Sequence, residues 1–119
     1  MTKRPFRDRV GFAGAGIIEG WRSESTFRTL VVLGIGALAV TVALRPGLQW
    51  AALVAFAIAL VLALELVNSA LEAVIDHLHP GEAKPIRRAK DMAAGAVLAA
   101  STGAAVVGVL MVTSVALEW

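Results

Sequence analysis

Residues Trp50 to Asp76 read WAALVAFAIALVLALELVNSALEAVID. The first half of this stretch carries no charge. The second half carries three carboxylates and an amide, Glu65, Asn68, Glu72 and Asp76, at spacings of three, four and four. A helix turns about 100° per residue, so these four groups fall within an arc of about 80° and stack over about 16 Å of rise. A strand would scatter them over both faces. The stretch is therefore a helix long enough to enter a bilayer, with a polar stripe down one end. Ionisable groups in hydrocarbon cost a few kcal/mol or more each, so a stripe of them points to function. Asn68 alone reads better as interhelical packing, and Asp76 is weaker evidence, because a helix end at the interface also accounts for it.

The rest of the chain fits a lipid solvent. Of its 119 residues, 58% are hydrophobic, too many for a soluble domain of this size to hide from water. Three uncharged runs stand out: Thr29–Leu44, Pro46–Leu64 and Met92–Leu117. A span needs about 20 apolar residues. The third, of 26 residues, exceeds that length, and the second, of 19, reaches it because its apolar character continues past Glu65. The first extends back to Phe27 because the Arg28 side chain can snorkel. The expected architecture is an all-α membrane protein with transmembrane helices over about 27–45, 48–76 and 89–117 and a loop over 77–88. Ahead of them, residues 6–24 place Phe6, Val10, Ala13, Ile17 and Trp21 at helical spacing. That predicts an amphipathic helix on the membrane surface, weakened by Gly11, Gly14, Gly16 and Gly20. No apolar core follows the basic N-terminus before Glu19, so a cleavable signal peptide is not expected. One domain, 1–119, accounts for the whole.

Charge sets the orientation. Lys3, Arg4, Arg7, Arg9, Arg22 and Arg28 precede the first span, and Lys84, Arg87, Arg88 and Lys90 lie between the second and third. Only Arg45 lies in the remaining loop. This asymmetry places the N-terminus and the 77–88 loop in the cytoplasm, with the Arg45-Pro46-Gly47 turn and Trp119 on the far side. The clustering fits membrane topology better than nucleic-acid binding. With no cysteine in the chain, disulfides and thiolate metal sites are excluded.

Two chemistries suit the stripe. Carboxylate oxygens suit Mg²⁺, which keeps several waters and shares its ligands with substrate phosphates. A buried acid also suits a proton relay, as in a small proton-coupled transporter subunit. The Lys90-Asp91 pair at the start of the third span favours the first, because a lysine beside a metal-binding carboxylate cluster can hold polyphosphate. Taken alone, it reads better as a basic flank that anchors the helix end. Soluble-kinase signatures are absent: there is no phosphate-loop GxxxxGK[ST] and no HRD loop. His77 and His79 have no third ligand at metal spacing and read as interfacial polar residues.

ELVNSALEAVID (Glu65–Asp76), AKDMAAGAVL (Ala89–Leu98) and WRSESTFR (Trp21–Arg28) together resemble the bacterial integral-membrane diacylglycerol kinase family over nearly the whole chain. The resemblance implies a homotrimer of three-span subunits with an N-terminal surface helix. It also implies transfer of the γ-phosphoryl of MgATP to a lipid alcohol at the cytoplasmic face of the inner membrane. On that basis Glu65 is the general base. Glu24 and Glu72 are Mg²⁺ ligands, and Asn68, Asp76, Lys90 and Asp91 contact substrate or nucleotide. Two positions depart from the family pattern: Leu30 stands where some relatives carry an acid, and Ala83 where many carry a histidine. The expected product is phosphatidic acid. An undecaprenol kinase of the same fold is the alternative; Asn68-Ser69-Ala70 leans to the diacylglycerol branch and Leu30 leans away from it.

Overall fold

A computed structural model describes residues 4–118; Lys3 and Trp119, used above for orientation, lie outside the described residues. The described residues form four helices: α1 (Phe6–Ser23), α2 (Ser25–Leu44), α3 (Leu48–Leu78) and α4 (Lys84–Glu118). The last three are long and apolar enough to cross a membrane. The molecule measures 55 × 38 × 23 Å, an elongated body with α3 packed against both α2 and α4.

Each break between helices has a local cause. Between α2 and α3, Arg45 takes a left-handed conformation (φ 50°, ψ 55°) and its N–H caps the Thr41 carbonyl. Pro46 cannot continue the helix. Gly47, at φ 108°, supplies the positive φ from which α3 starts, a backbone angle that glycine adopts without steric cost. Between α1 and α2 the break is a single residue, Glu24, held extended at φ −115°, ψ 105°.

The α3–α4 connection is shorter than the sequence predicts. The expected loop over 77–88 contracts to residues 79–83, because α3 runs to Leu78 and α4 already starts at Lys84. Pro85 does not delay α4. In a first helical turn the missing proline N–H has no intrahelical partner to lose. The first bond of the ladder, Arg87 N–H to the Ala83 carbonyl at 2.9 Å, closes over it. The glycines of α1 do not interrupt it either.

One chain buries little. Its buried hydrophobic residues are Phe27, Val54, Val61, Met111 and Val115, and they form a thin seam between α2, α3 and α4. Large apolar side chains such as Leu33, Ile35, Phe56, Leu98 and Val109 are exposed. That is the arrangement expected where lipid or neighbouring subunits replace water. Close backbone approach tightens the seam at two points. A Cβ on Gly34 would meet Ile58 Cγ2 at 2.8 Å, and one on Gly20 would meet Leu66 Cδ2 at 2.6 Å. The second contact presses the end of α1 onto α3 one residue from Glu65.

Candidate functional site

The polar stripe of α3 faces inward where α1, α2 and α3 meet. Glu65 is only 6% exposed and Asn68 only 9%, although both sit in a chain that buries few side chains. Glu72, one turn further on, is half-buried. The Asn68 amide donates a long 3.4 Å hydrogen bond to Glu72 Oε1. Its own carbonyl oxygen is buried without a partner. An unpaired buried acceptor costs about 1–3 kcal/mol, so this oxygen is open to a donor or cation from outside the single chain.

Glu24 joins this group from the helix joint. It stands at the N-cap of α2 yet its side chain makes no capping hydrogen bond, which leaves the carboxylate free. The charges of Glu72 and Glu24 both bear on Glu65, and the Ser69 hydroxyl lies within reach of it. Among the described residues no Lys, Arg or His pairs with Glu24, Glu65 or Glu72; the ion pairs present are Arg87–Glu82 and Lys90–Asp76. Three carboxylates thus lie in one region of the bundle without a counter-charge, an arrangement that a cation or a proton would relieve.

The remaining predicted residues form a second group towards the helix ends. Lys90 Nζ donates to Asp76 Oδ1 at 2.5 Å, tying the last turns of α3 to the first turns of α4. Lys90 is half-buried while Asp76 and Asp91 are exposed. Asp91 and Lys90 edge a polar cleft of about 310 Å³, closed on its other side by Pro80, Gly81, Glu82, Ala83, Ile86 and Arg87. His79 Nδ1 lies 2.9 Å from the Gly81 carbonyl, a contact within the loop. The larger hollows are elsewhere. Two apolar grooves of about 500 and 380 Å³ share Ala37, Ile58 and Gly108, and no titratable group lines either.

Sequence reasoning missed two contributors. Arg28, read as a snorkelling flank, instead turns back: its Nη1 donates to the carbonyls of Trp21 (2.8 Å) and Arg22 (3.1 Å). Gly20, read as a weakness of α1, is the point at which α1 can touch α3. Neither role has a signal in the local sequence, because both depend on the sharp joint at Glu24.

The donor set suits Mg²⁺. Carboxylates and an amide oxygen are the hard ligands it prefers, and the Asn68 carbonyl oxygen is buried and unpartnered. No three acidic or imidazole groups of the described residues close around one point. Mg²⁺ does not require such a cage, since it commonly takes one or two carboxylates and completes its shell with water and substrate phosphate.

The fold is that of a small multi-pass helical membrane protein, with a group of carboxylates towards one end of its bundle. The sequence profile described as prokaryotic diacylglycerol kinase matches residues 11–112. A diacylglycerol kinase of Pseudomonas aeruginosa is 34% identical over 111 residues, covering 86% of this chain and 90% of that protein. A diacylglycerol kinase of Synechocystis is 35% identical over 99 residues, covering 82% of this chain and 56% of that protein. The chain belongs to the prokaryotic diacylglycerol kinase family, and its activity is that of a lipid kinase.

Proposed function

We propose that this lipid kinase transfers the γ-phosphoryl group of ATP to the free hydroxyl of diacylglycerol, giving phosphatidic acid and ADP. The observation that carries the site assignment is the buried Glu65, gathered with Glu72 and Glu24 and left without a cation. Glu65 accepts the proton as the lipid oxygen attacks the γ-phosphorus and the bond to the ADP oxygen breaks. Its burial keeps water from competing for that proton, and the apolar run ahead of it on α3 lies beside the acyl chains. Glu24 and Glu72 would hold Mg²⁺, with the Asn68 carbonyl oxygen beside them. Bound there, the ion would neutralise charge developing on the transferring phosphoryl group. The Asn68 amide steadies Glu72. Lys90 meets nucleotide phosphate, Asp76 holds that lysine in place, and Asp91 lines the adjoining cleft.

The unit of function in this reading is a homotrimer. A single chain offers a thin seam in place of a core, and α4 presents Gly95 and Gly103 to open space, where another backbone can approach closely. The helix α1 lies on the membrane with Phe6, Val10, Ile17 and Trp21 exposed to it. The basic residues around α1 and the start of α2 (Arg4, Arg7, Arg9, Arg22 and Arg28) and those in the first turns of α4 (Lys84, Arg87, Arg88 and Lys90) support a site on the cytoplasmic face of the bacterial inner membrane. The test is direct: purified protein in mixed micelles is assayed with ATP against diacylglycerol and undecaprenol at equal mole fraction. Diacylglycerol should be phosphorylated the faster. A clear preference for undecaprenol overturns the substrate, and proton flux in liposomes without ATP turnover overturns the kinase mechanism.

A further inference from the structure

The last four carbonyls of a helix have no partner within it. In α1 these belong to Gly20, Trp21, Arg22 and Ser23. The Gly20 carbonyl accepts the Glu24 N–H at 3.0 Å. Those of Trp21 and Arg22 accept the Arg28 guanidinium from the first turn of the next helix. Arg28 thus reaches across the joint. It also declines a nearer partner. Arg28 stands four residues after Glu24, the spacing at which acid and base pair along a helix, yet no such pair forms among the described residues. A cation at a helix C-terminus is favoured by the helix dipole as well as by the carbonyls, and that preference draws Arg28 away from the acid.

The geometry points to Arg28 as a positioning residue. By tying the first turn of α2 to the last carbonyls of α1, it fixes the one-residue joint at Glu24. It thereby holds the Glu24 carboxylate towards Glu65 and Glu72, unpaired and open to a divalent cation. This inference rests on the reading of Glu24 as a metal ligand. Because the joint is a single residue, its two torsions set both the angle between the helices and the direction of the Glu24 side chain. Loss of the Arg28 bridge frees both together. Arg28→Lys keeps the charge on a more flexible stem and should restore part of the effect.

The experiment measures Mn²⁺ binding by electron paramagnetic resonance to the full chain in micelles with a non-hydrolysable ATP analogue, for the parent, Glu24→Gln, Arg28→Gln and Arg28→Lys. Helicity and thermal unfolding are recorded for each. Arg28→Gln should raise the Mn²⁺ Kd by about tenfold or more, the range for groups that orient a ligand without touching the metal. Arg28→Lys should fall between it and the parent. If Glu24→Gln weakens Mn²⁺ binding but both Arg28 variants bind like the parent, the positioning role is overturned and the Glu24 assignment stands. If Glu24→Gln itself binds like the parent, the assignment fails and this inference with it. Should Arg28→Gln not fold, Arg28→Lys decides alone, and a Kd within twofold of the parent overturns the role.

Discussion

Glu65→Gln separates chemistry from architecture, because its two expected effects have opposite signs. Gln keeps the size and shape of the side chain and loses only its ability to carry charge and accept a proton. Removing a general base lowers turnover on the order of 10²–10⁴, which is about 2.7–5.4 kcal/mol of barrier. Stability should move the other way. Glu65 is 6% exposed, shares its surroundings with the carboxylates of Glu72 and Glu24, and has no cationic partner. An acid at mid-span costs about 2.5–3.5 kcal/mol. Glu65 lies nearer the polar end of α3, so its neutralisation should return about 1–3 kcal/mol. The assay pairs initial rates at saturating MgATP and diacylglycerol with unfolding in a graded detergent mixture. Turnover within a few-fold of the parent would remove Glu65 as the base. A variant less stable than the parent would show that the carboxylate has a structural partner and that the acidic cluster is not strained. Glu65→Asp, one carbon shorter, should keep part of the turnover if reach is its sole defect.

Three further expectations follow from the geometry. Glu72→Gln should cut activity by several orders of magnitude and shift the Mg²⁺ response to higher concentration; an unchanged Mg²⁺ titration in it and in Glu24→Gln would show that neither holds the ion. At Gly20, alanine meets the mobile end of Leu66 and should be tolerated, whereas leucine should push α1 off α3 and lower activity more than tenfold, at the cost typical of overpacking; equal activities would show that the approach does not position the site. Asp76→Asn releases Lys90 from its partner and should raise the KM for MgATP several-fold with kcat largely kept, and a kcat loss with KM unchanged would place Asp76 in the chemical step instead.

The sequence carries the α3 stripe clearly because one helix suffices to define it: period and spacing bring Glu65, Asn68 and Glu72 to one face whatever surrounds them. The Lys90–Asp76 contact is nearly as legible, since a short loop between long antiparallel helices leaves their facing ends little choice. The joint at Glu24 is different. The change from an amphipathic to an apolar run places a boundary between residues 24 and 27, but nothing in RSESTFR, which holds neither proline nor glycine, narrows the joint to the single residue Glu24. The break is a tertiary event, in which α1 folds against α3 through Gly20 and Arg28 satisfies the carbonyls that the break exposes. Pro85 lies inside the loop expected over 77–88, yet it belongs to the first turn of α4. A proline usually signals a boundary, and here it lies inside the first turn, where a helix tolerates it.

The turn at Arg45–Gly47 turns α3 into a ruler. Glu65 lies seventeen residues beyond Leu48, about 26 Å along the helix, Glu72 about 36 Å and Asp76 about 42 Å. A hydrocarbon slab is about 30 Å thick. With the turn seated at one face and α3 upright, Glu65 lies just beneath the opposite boundary, while Glu72 and Asp76 stand beyond it. The depth of the proposed base is then fixed by a count of residues, while the depth of the lipid hydroxyl is fixed by the bilayer. These agree at one thickness only. Thicker membranes draw Glu65 below the headgroups and thinner ones lift it clear, so turnover should peak sharply with acyl-chain length.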